Sequence, residues 1–107
     1  LSFLRAGLPP SSLLVLESRT VGHSFASWPP RTRFISPSFD ASAWGCVDLN
    51  AVDPFSSPAP HGADEYLSGM EYAAYLRGLV EGNGVPVREG VRVTTVERVV
   101  ESEVWRR

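Results

Sequence analysis

A long stretch without a sustained hydrophobic period, residues 18–67, constrains this chain more than any other feature. It contains most of the nine prolines and most of the five phenylalanines of the 107-residue sequence. Loops of this length are either functional or disordered. Because its apolar side chains carry much surface, we expect an ordered loop packed over something large and flat, which disfavours a helical bundle. These side chains are Phe25, Trp28, Phe34, Ile35, Phe39, Trp44 and Phe55.

The residues before this loop predict a helix end and a strand. Leucines at positions 1, 4 and 8 follow a helical period, and Gly7 suits a left-handed cap, so residues 1–7 read as the last turns of a helix. The continuous apolar run 13–17 ends in Glu17 and is typical of a buried parallel strand. Since the chain begins in mid-pattern and its only methionine is Met70, we expect an internal fragment of a longer protein.

A second helix and short strands are predicted after the loop. Ser68 and Glu71 have the spacing of a capping box, an apolar stripe follows, and glycines end it, which predicts a helix over 69–81. Segments rich in β-branched residues at 85–88, 91–96 and 99–105 predict strands. The order of elements favours an α/β fold with some parallel pairing.

Charge and composition exclude several classes of function. The net charge is −2 without a run of like charges, which disfavours binding to nucleic acid or to an anionic membrane. The chain has no lysine, so Schiff-base and phosphate-loop lysine chemistry is excluded. Cys46 is the single cysteine, and no apolar run is long enough to span a bilayer, so we expect a protein of the cytoplasm.

Three groups of residues could carry chemistry. Glu17, at the end of the first strand, has the place of the carboxylate that binds ribose hydroxyls in dinucleotide-binding folds, although a solvated strand-end glutamate is the simpler alternative. Ser24 lies in a Gly-x-Ser-x-small pattern like the nucleophile elbow of α/β-hydrolases, but prolines follow it where a helix should begin. His61 with Asp64 and Glu65 is a poor metal-ligand set, and we expect no metal site.

An ordered series of segments resembles the FAD-dependent oxidoreductases of the flavin monooxygenase-like group. The series covers nearly the whole chain: residues 14–19, 21–25 with Trp28-Pro29, 33–39, 48–52, 68–69 with 71–72 and 75–76, and 91–97. The resemblance implies a partial Rossmann-type FAD-binding domain spanning residues 1–107. Its parts would be a helix end and the second strand (1–17), a long aromatic and proline-rich loop (18–67), and a helix plus β-strands (68–107).

The resemblance also implies a function and cofactor-binding residues. The function would be an NADPH- or NADH-using flavin oxidoreductase, most plausibly monooxygenase-like, acting on a small-molecule substrate together with the rest of its own polypeptide, and inactive as the fragment alone. Glu17 would bind the adenosine ribose, Arg19 would lie beside the adenine, and the backbone of Val93 would touch it. The remaining expected contacts to FAD are Ser18, Gly22, Ser24, Phe25, Trp28, Ser36 and Pro37.

Two alternatives stay open on the sequence. A serine hydrolase would use Ser24 as its nucleophile and should react with an active-site phosphonate. A non-catalytic binding domain would use the aromatic loop as an interaction surface. In addition, His23 stands where many members of the flavoprotein group carry a second glycine, and the chain lacks the G-x-G-x-x-G phosphate motif.

Overall fold

The computed structural model describes residues 1–40, 45 and 47–100 of the chain. Trp44, Cys46 and residues 101–107 lie outside the described residues. The regular elements are α1 (Ser2–Arg5), β1 (Val15–Leu16), α2 (His23–Ala26), α3 (Gly69–Gly82) and β2 (Val87–Arg88), with single 3₁₀ turns at Pro10–Ser12 and Ala59–His61. None of the helices in these ranges has the length and apolar character needed to cross a membrane.

The two strands form a parallel pair, as the sequence predicts. Val15 lies opposite Val87 and Leu16 opposite Arg88. Backbone hydrogen bonds continue past the strand ends: the Glu17 N–H donates to the Arg88 carbonyl at 3.0 Å, and the Val91 N–H donates to the Glu17 carbonyl at 3.0 Å. The segment that begins at Glu17 is therefore held against the segment that follows β2.

The prediction that the first strand is buried is wrong for the described chain. Leu14, Val15 and Leu16 are 52%, 40% and 43% exposed. The physical reason is the small number of neighbours, since β1 pairs with one strand and an open cleft of about 290 Å³ lies between the sheet and α3. Apolar side chains from both elements line this cleft, Val15 and Val87 from the sheet and Leu76 from the helix among them.

The strands predicted at 91–96 and 99–105 are not formed in the described residues. Residues 91–100 have no regular structure, and Val96 is 88% exposed. β-Branched residues favour a strand only where a partner supplies hydrogen bonds and packing. Within the described ranges no strand pairs with this segment, and residues 101–105 of the last predicted strand lie outside them.

Helix α3 confirms the predicted capping box and ends one residue later than predicted. The Glu71 N–H donates to the Ser68 hydroxyl at 3.2 Å, and the Ser68 N–H donates to Oε1 of Glu71 at 2.8 Å. The Ser68 N–H lowers the pKa of Glu71 most; burial opposes this, and the Ala63 N–H and the Arg33 charge lower it further. The glutamate therefore stays charged at the helix N-terminus, where the helix dipole favours an anion.

The long loop folds back onto α3 and supplies much of the small core. Leu67 is fully buried, and its carbonyl accepts a hydrogen bond from the Phe34 N–H at 2.9 Å. The Tyr72 hydroxyl of α3 donates to the Asn50 carbonyl at 2.8 Å, and burial raises the pKa of Tyr72, which keeps the hydroxyl protonated. The loop is thus ordered around one helix.

The expectation that all the apolar loop residues are covered is only partly correct. Phe25 and Trp28 pack beside α3, but Ile35 and Phe55 are 97% and 77% exposed. A single helix offers a narrower surface than a sheet, so it covers only part of a loop of this length.

Replacing the capping serine should weaken the fold measurably. In Ser68→Ala the Glu71 N–H loses its acceptor, and we expect the free energy of unfolding to fall by about 1 kcal/mol. Urea unfolding followed by far-ultraviolet circular dichroism measures this change. Ser12→Ala is the control, since the Ser12 hydroxyl has no hydrogen bond within the described residues. Equal stability of the two variants would contradict the role of the cap.

Candidate functional site

An open cleft lies at the carboxyl ends of the paired strands. Its volume is about 660 Å³, and it is lined by Leu16, Glu17, Ser18, Arg19, Val91, Arg92 and Val93. We call it the Glu17 cleft. The carboxyl ends of parallel strands are where α/β folds place their ligands. The structure therefore brings four of the predicted site residues, Glu17, Ser18, Arg19 and Val93, to one place of the kind that binds small molecules.

The Glu17 carboxylate is held in a defined position in this cleft. The backbone N–H of Glu17 donates to the Arg88 carbonyl, and the Glu17 carbonyl accepts a hydrogen bond from the Val91 N–H. In the side chain of Glu17, one carboxylate oxygen is also engaged. Its Oε1 accepts a hydrogen bond from the Arg19 N–H at 3.1 Å. Within residues 1–40, 45 and 47–100 no group donates to Oε2. The half-buried carboxylate can therefore accept hydrogen bonds from the hydroxyl groups of a ligand.

Two arginines share the cleft with Glu17. Arg19 and Arg92 are exposed, and neither forms an ion pair with the residues that the structure describes. With one carboxylate and two guanidinium groups, the lining carries a net positive charge. A planar guanidinium can also stack on a flat aromatic ligand. The lining is thus suited to a ligand that combines hydroxyl groups with an aromatic ring.

Gly22 lies where the chain turns from the cleft into α2. Its φ of +79° is in the left-handed region, and an added Cβ would stand 2.9 Å from the Cα of Ala73 in α3. Glycine is needed for both reasons, because other residues are strained at this φ and the side chain has no space. The close approach of α2 to α3 thus depends on Gly22.

The geometry around Ser24 does not form a hydrolase nucleophile site. No strand runs directly into Gly22, since β1 ends at Leu16, and α2 is a single turn. The neighbouring imidazole is engaged elsewhere, with Nε2 of His23 at 3.1 Å from the Ser27 hydroxyl. Ser24 is exposed and, among the described residues, its hydroxyl has no histidine partner. The hydrolase alternative is not favoured.

Phe25 and Trp28 belong to an aromatic cluster rather than to the Glu17 cleft. The Phe25 and Tyr72 ring centroids are 4.7 Å apart, and the Trp28 and Phe34 centroids are 5.2 Å apart in an edge arrangement. The same geometry demands Gly69, because a Cβ there would collide with the Phe25 carbonyl oxygen. We call Phe25, Trp28, Phe34 and Tyr72 the aromatic cluster. The cluster packs α2 against the start of α3.

Ser36 and Pro37 lie neither in the Glu17 cleft nor in the aromatic cluster. They lie at a polar network within the long loop. The Ser36 hydroxyl donates to the Asn50 side-chain oxygen at 2.8 Å, and the Asn50 amide donates back to the Ser36 carbonyl at 3.1 Å. Nearby, Asp48 is 5% exposed and accepts hydrogen bonds from the Phe39 N–H and the Ser57 hydroxyl. Pro37 itself is exposed. The network stabilises the turn at these residues.

Sequence reasoning missed several residues that shape the site. Arg92 was overlooked although it directly precedes Val93, and alternation along a predicted strand gave no reason to single it out. No motif in the sequence points to Glu89, whose Oε2 accepts a hydrogen bond from the Val21 N–H at 2.7 Å. No local pattern predicts a contact across so many residues.

His61 and Asp64, two of the residues considered as metal ligands, lie close to other side chains. The His61 ring lies 5.9 Å from the Tyr75 ring, and Asp64 Oδ1 is 3.9 Å from the Arg33 guanidinium. In the part of the chain that the structure describes, no group of three or more histidine, cysteine, aspartate or glutamate residues could hold a metal ion.

A sequence model of the family described as pyridine nucleotide-disulphide oxidoreductase matches residues 4–104, which is nearly the whole chain and includes both strands and the Glu17 cleft.

Proposed function

This chain belongs to the pyridine nucleotide-disulphide oxidoreductase family of FAD- and NAD(P)-binding proteins, and on that premise we propose that its Glu17 cleft binds the adenosine end of FAD. We further propose that the enzyme is monooxygenase-like and uses NADPH or NADH. The family makes it a flavin-dependent oxidoreductase with a Rossmann-like fold. The parallel pairing of β1 with β2 is consistent with that fold.

The observation that carries the proposal is the composition of the Glu17 cleft. A carboxylate and two arginines, none of the three in an ion pair with the described residues, line a cleft of about 660 Å³ at the carboxyl ends of parallel strands. An acidic residue at this place suits the hydroxyl groups of a ribose, which donate hydrogen bonds to it. The donor and acceptor groups therefore fit an adenosine.

The other predicted residues would act around that position. Arg19 would lie against the adenine, and the backbone of Val93 would contact its edge from the opposite lining of the cleft. The segment from Gly22 to Trp28 would pass near the pyrophosphate and the flavin, and the turn at Ser36-Pro37 would approach the isoalloxazine. These assignments follow the family resemblance, and the grouping of Glu17, Ser18, Arg19 and Val93 supports the adenosine part.

The protein contributes position and exclusion of water rather than a nucleophile. The chemistry that bound FAD supplies is two-electron transfer from a nicotinamide and, in a monooxygenase, activation of dioxygen. Glu17 and Arg19 would orient the adenosine end, while the aromatic cluster would present flat apolar surface that keeps water out. No serine or cysteine nucleophile is required in this arrangement.

Removal of the Glu17 carboxylate should weaken FAD binding by the protein. A hydrogen bond to a charged group contributes about 1.5–3 kcal/mol, so we expect the dissociation constant of FAD to rise roughly ten- to hundredfold in Glu17→Ala and less in Glu17→Gln. Quenching of flavin fluorescence in a titration measures it. Glu97→Gln is the control, because Glu97 is exposed and outside the cleft. If Glu17→Ala binds FAD as well as the unaltered protein does, the assignment of the cleft is wrong.

Replacement of Trp28 tests whether the aromatic cluster borders the flavin. Trp28→Ala removes a ring 5.3 Å from Phe25, and we expect a changed flavin fluorescence or a weaker affinity for FAD. Phe3→Ala is the control, since Phe3 is exposed on α1. Unchanged flavin fluorescence and affinity in Trp28→Ala would remove Trp28 from the site.

The electron acceptor can be tested with the FAD-loaded full-length protein that contains this chain. We expect NADPH or NADH oxidation to consume dioxygen and to slow sharply under anaerobic conditions. The competing acceptor is a disulphide, for which glutathione disulphide serves as the probe. Anaerobic oxidation that glutathione disulphide restores in full would contradict monooxygenase-like chemistry while leaving the flavoprotein assignment in place.

A further inference from the structure

We propose that Glu89 is a positioning residue that holds one wall of the Glu17 cleft in its binding conformation. The inference rests on the proposed function, because the cleft is the adenosine site of that proposal. Glu89 follows β2 directly and does not line the cleft itself. Its effect on a ligand is therefore exerted through the chain segment that it binds, residues 17–21.

The contact joins the two chain segments whose neighbouring residues line the cleft. Oε2 of Glu89 accepts a hydrogen bond from the Val21 N–H at 2.7 Å. The next residue, Gly90, donates its N–H to the Arg19 carbonyl at 3.1 Å, and Val91 donates to the Glu17 carbonyl at 3.0 Å. Three successive residues after β2 thus bind three alternate residues after β1.

Regular strand pairing cannot supply the contact at Val21. The φ of Gly90 is +72°, so the chain leaves the strand conformation after Glu89 and its backbone turns away from the ladder. The side chain of Glu89 spans the gap that this turn leaves. Without it, the Val21 N–H would have no acceptor among the described residues, and the segment would be bound to the chain after β2 only at Glu17 and Arg19.

A carboxylate suits this position for an electrostatic reason. Its hydrogen bond to a backbone N–H is charge-assisted, and such bonds are shorter and stronger than neutral ones. Two other charged side chains, Arg77 and Glu81 of α3, line a small cleft of about 190 Å³ together with Glu89. Neither forms an ion pair with Glu89 within the described residues, so the Val21 N–H is the partner that Glu89 engages there.

The expected consequence is a change in affinity for FAD with little change in the chemistry at the flavin. In Glu89→Ala the Val21 N–H loses its acceptor while the Gly90 bond to the Arg19 carbonyl remains, so the segment beyond Arg19 is held less firmly and part of the cleft wall must be ordered when the ligand binds. For the loss of one charge-assisted hydrogen bond we expect the dissociation constant of FAD to rise about tenfold. Glu89→Gln retains an acceptor oxygen and should restore most of the affinity.

The experiment combines FAD titration of the protein with amide hydrogen exchange at Val21. Glu89→Ala should bind FAD about tenfold more weakly and exchange the Val21 amide faster in the absence of FAD, whereas Glu89→Gln should stay close to the unaltered protein in both. Glu81→Ala is the matched control, because it removes the same charge from the same small cleft without removing the contact to Val21. Thermal unfolding of each FAD-free variant reports whether the fold as a whole has changed.

The outcomes of the experiment separate the positioning role of Glu89 from the proposed FAD-binding function on which it rests. Weaker FAD binding with rescue by glutamine supports the positioning role. Equal affinity of Glu89→Ala and the unaltered protein, or equal Val21 exchange, overturns that role and leaves the FAD site intact. A fall in thermal stability that glutamine fails to rescue assigns Glu89 to the general fold and also overturns it. Absence of FAD binding by the unaltered full-length protein overturns the proposed function and this inference with it.

Discussion

The parallel hydrogen-bonded pairing of β1 with β2 is the constraint on which the other parts of the structure depend. It joins residues 15–16 to residues 87–88, which are separated by about two-thirds of the chain, and continues beyond the strands through the Glu17 carbonyl. Closing so long a loop costs conformational entropy, which local contacts alone do not recover. Because the pairing fixes where both strands end, it also fixes where Glu17 and Val93 can meet.

Helix α3 connects this pairing to the long loop. Its capping box defines where the helix begins, and the aromatic cluster packs α2 against that first part through Phe25 and Tyr72. The narrow spaces at Gly22 and Gly69 show that the two helices approach as closely as their backbones allow. The segment that leaves the Glu17 cleft is therefore held at both ends, by the sheet before it and by α3 after it.

Prediction from the sequence succeeded where the signal is local and was wrong where it depends on neighbours. The helix over 69–82 was predictable because Ser68 and Glu71 satisfy each other's backbone groups within four residues. The strand over 91–96 was predicted from β-branched residues alone, and the described residues offer it no partner. For the same reason the apolar run at 14–16 predicted burial, although burial requires covering layers that the described chain does not provide.

The candidate site, like the fold, was predictable from the sequence only in part. The sequence by itself determined the family to which the chain belongs and placed a carboxylate at the end of the first strand. Only the tertiary structure decided that Arg92 shares the cleft with Glu17, that Phe25 and Trp28 lie in a separate cluster, and that Glu89 binds Val21. The physical reason is that residue type and local spacing act over a few residues, whereas these contacts exist only after the chain has closed on itself through the parallel strand pair.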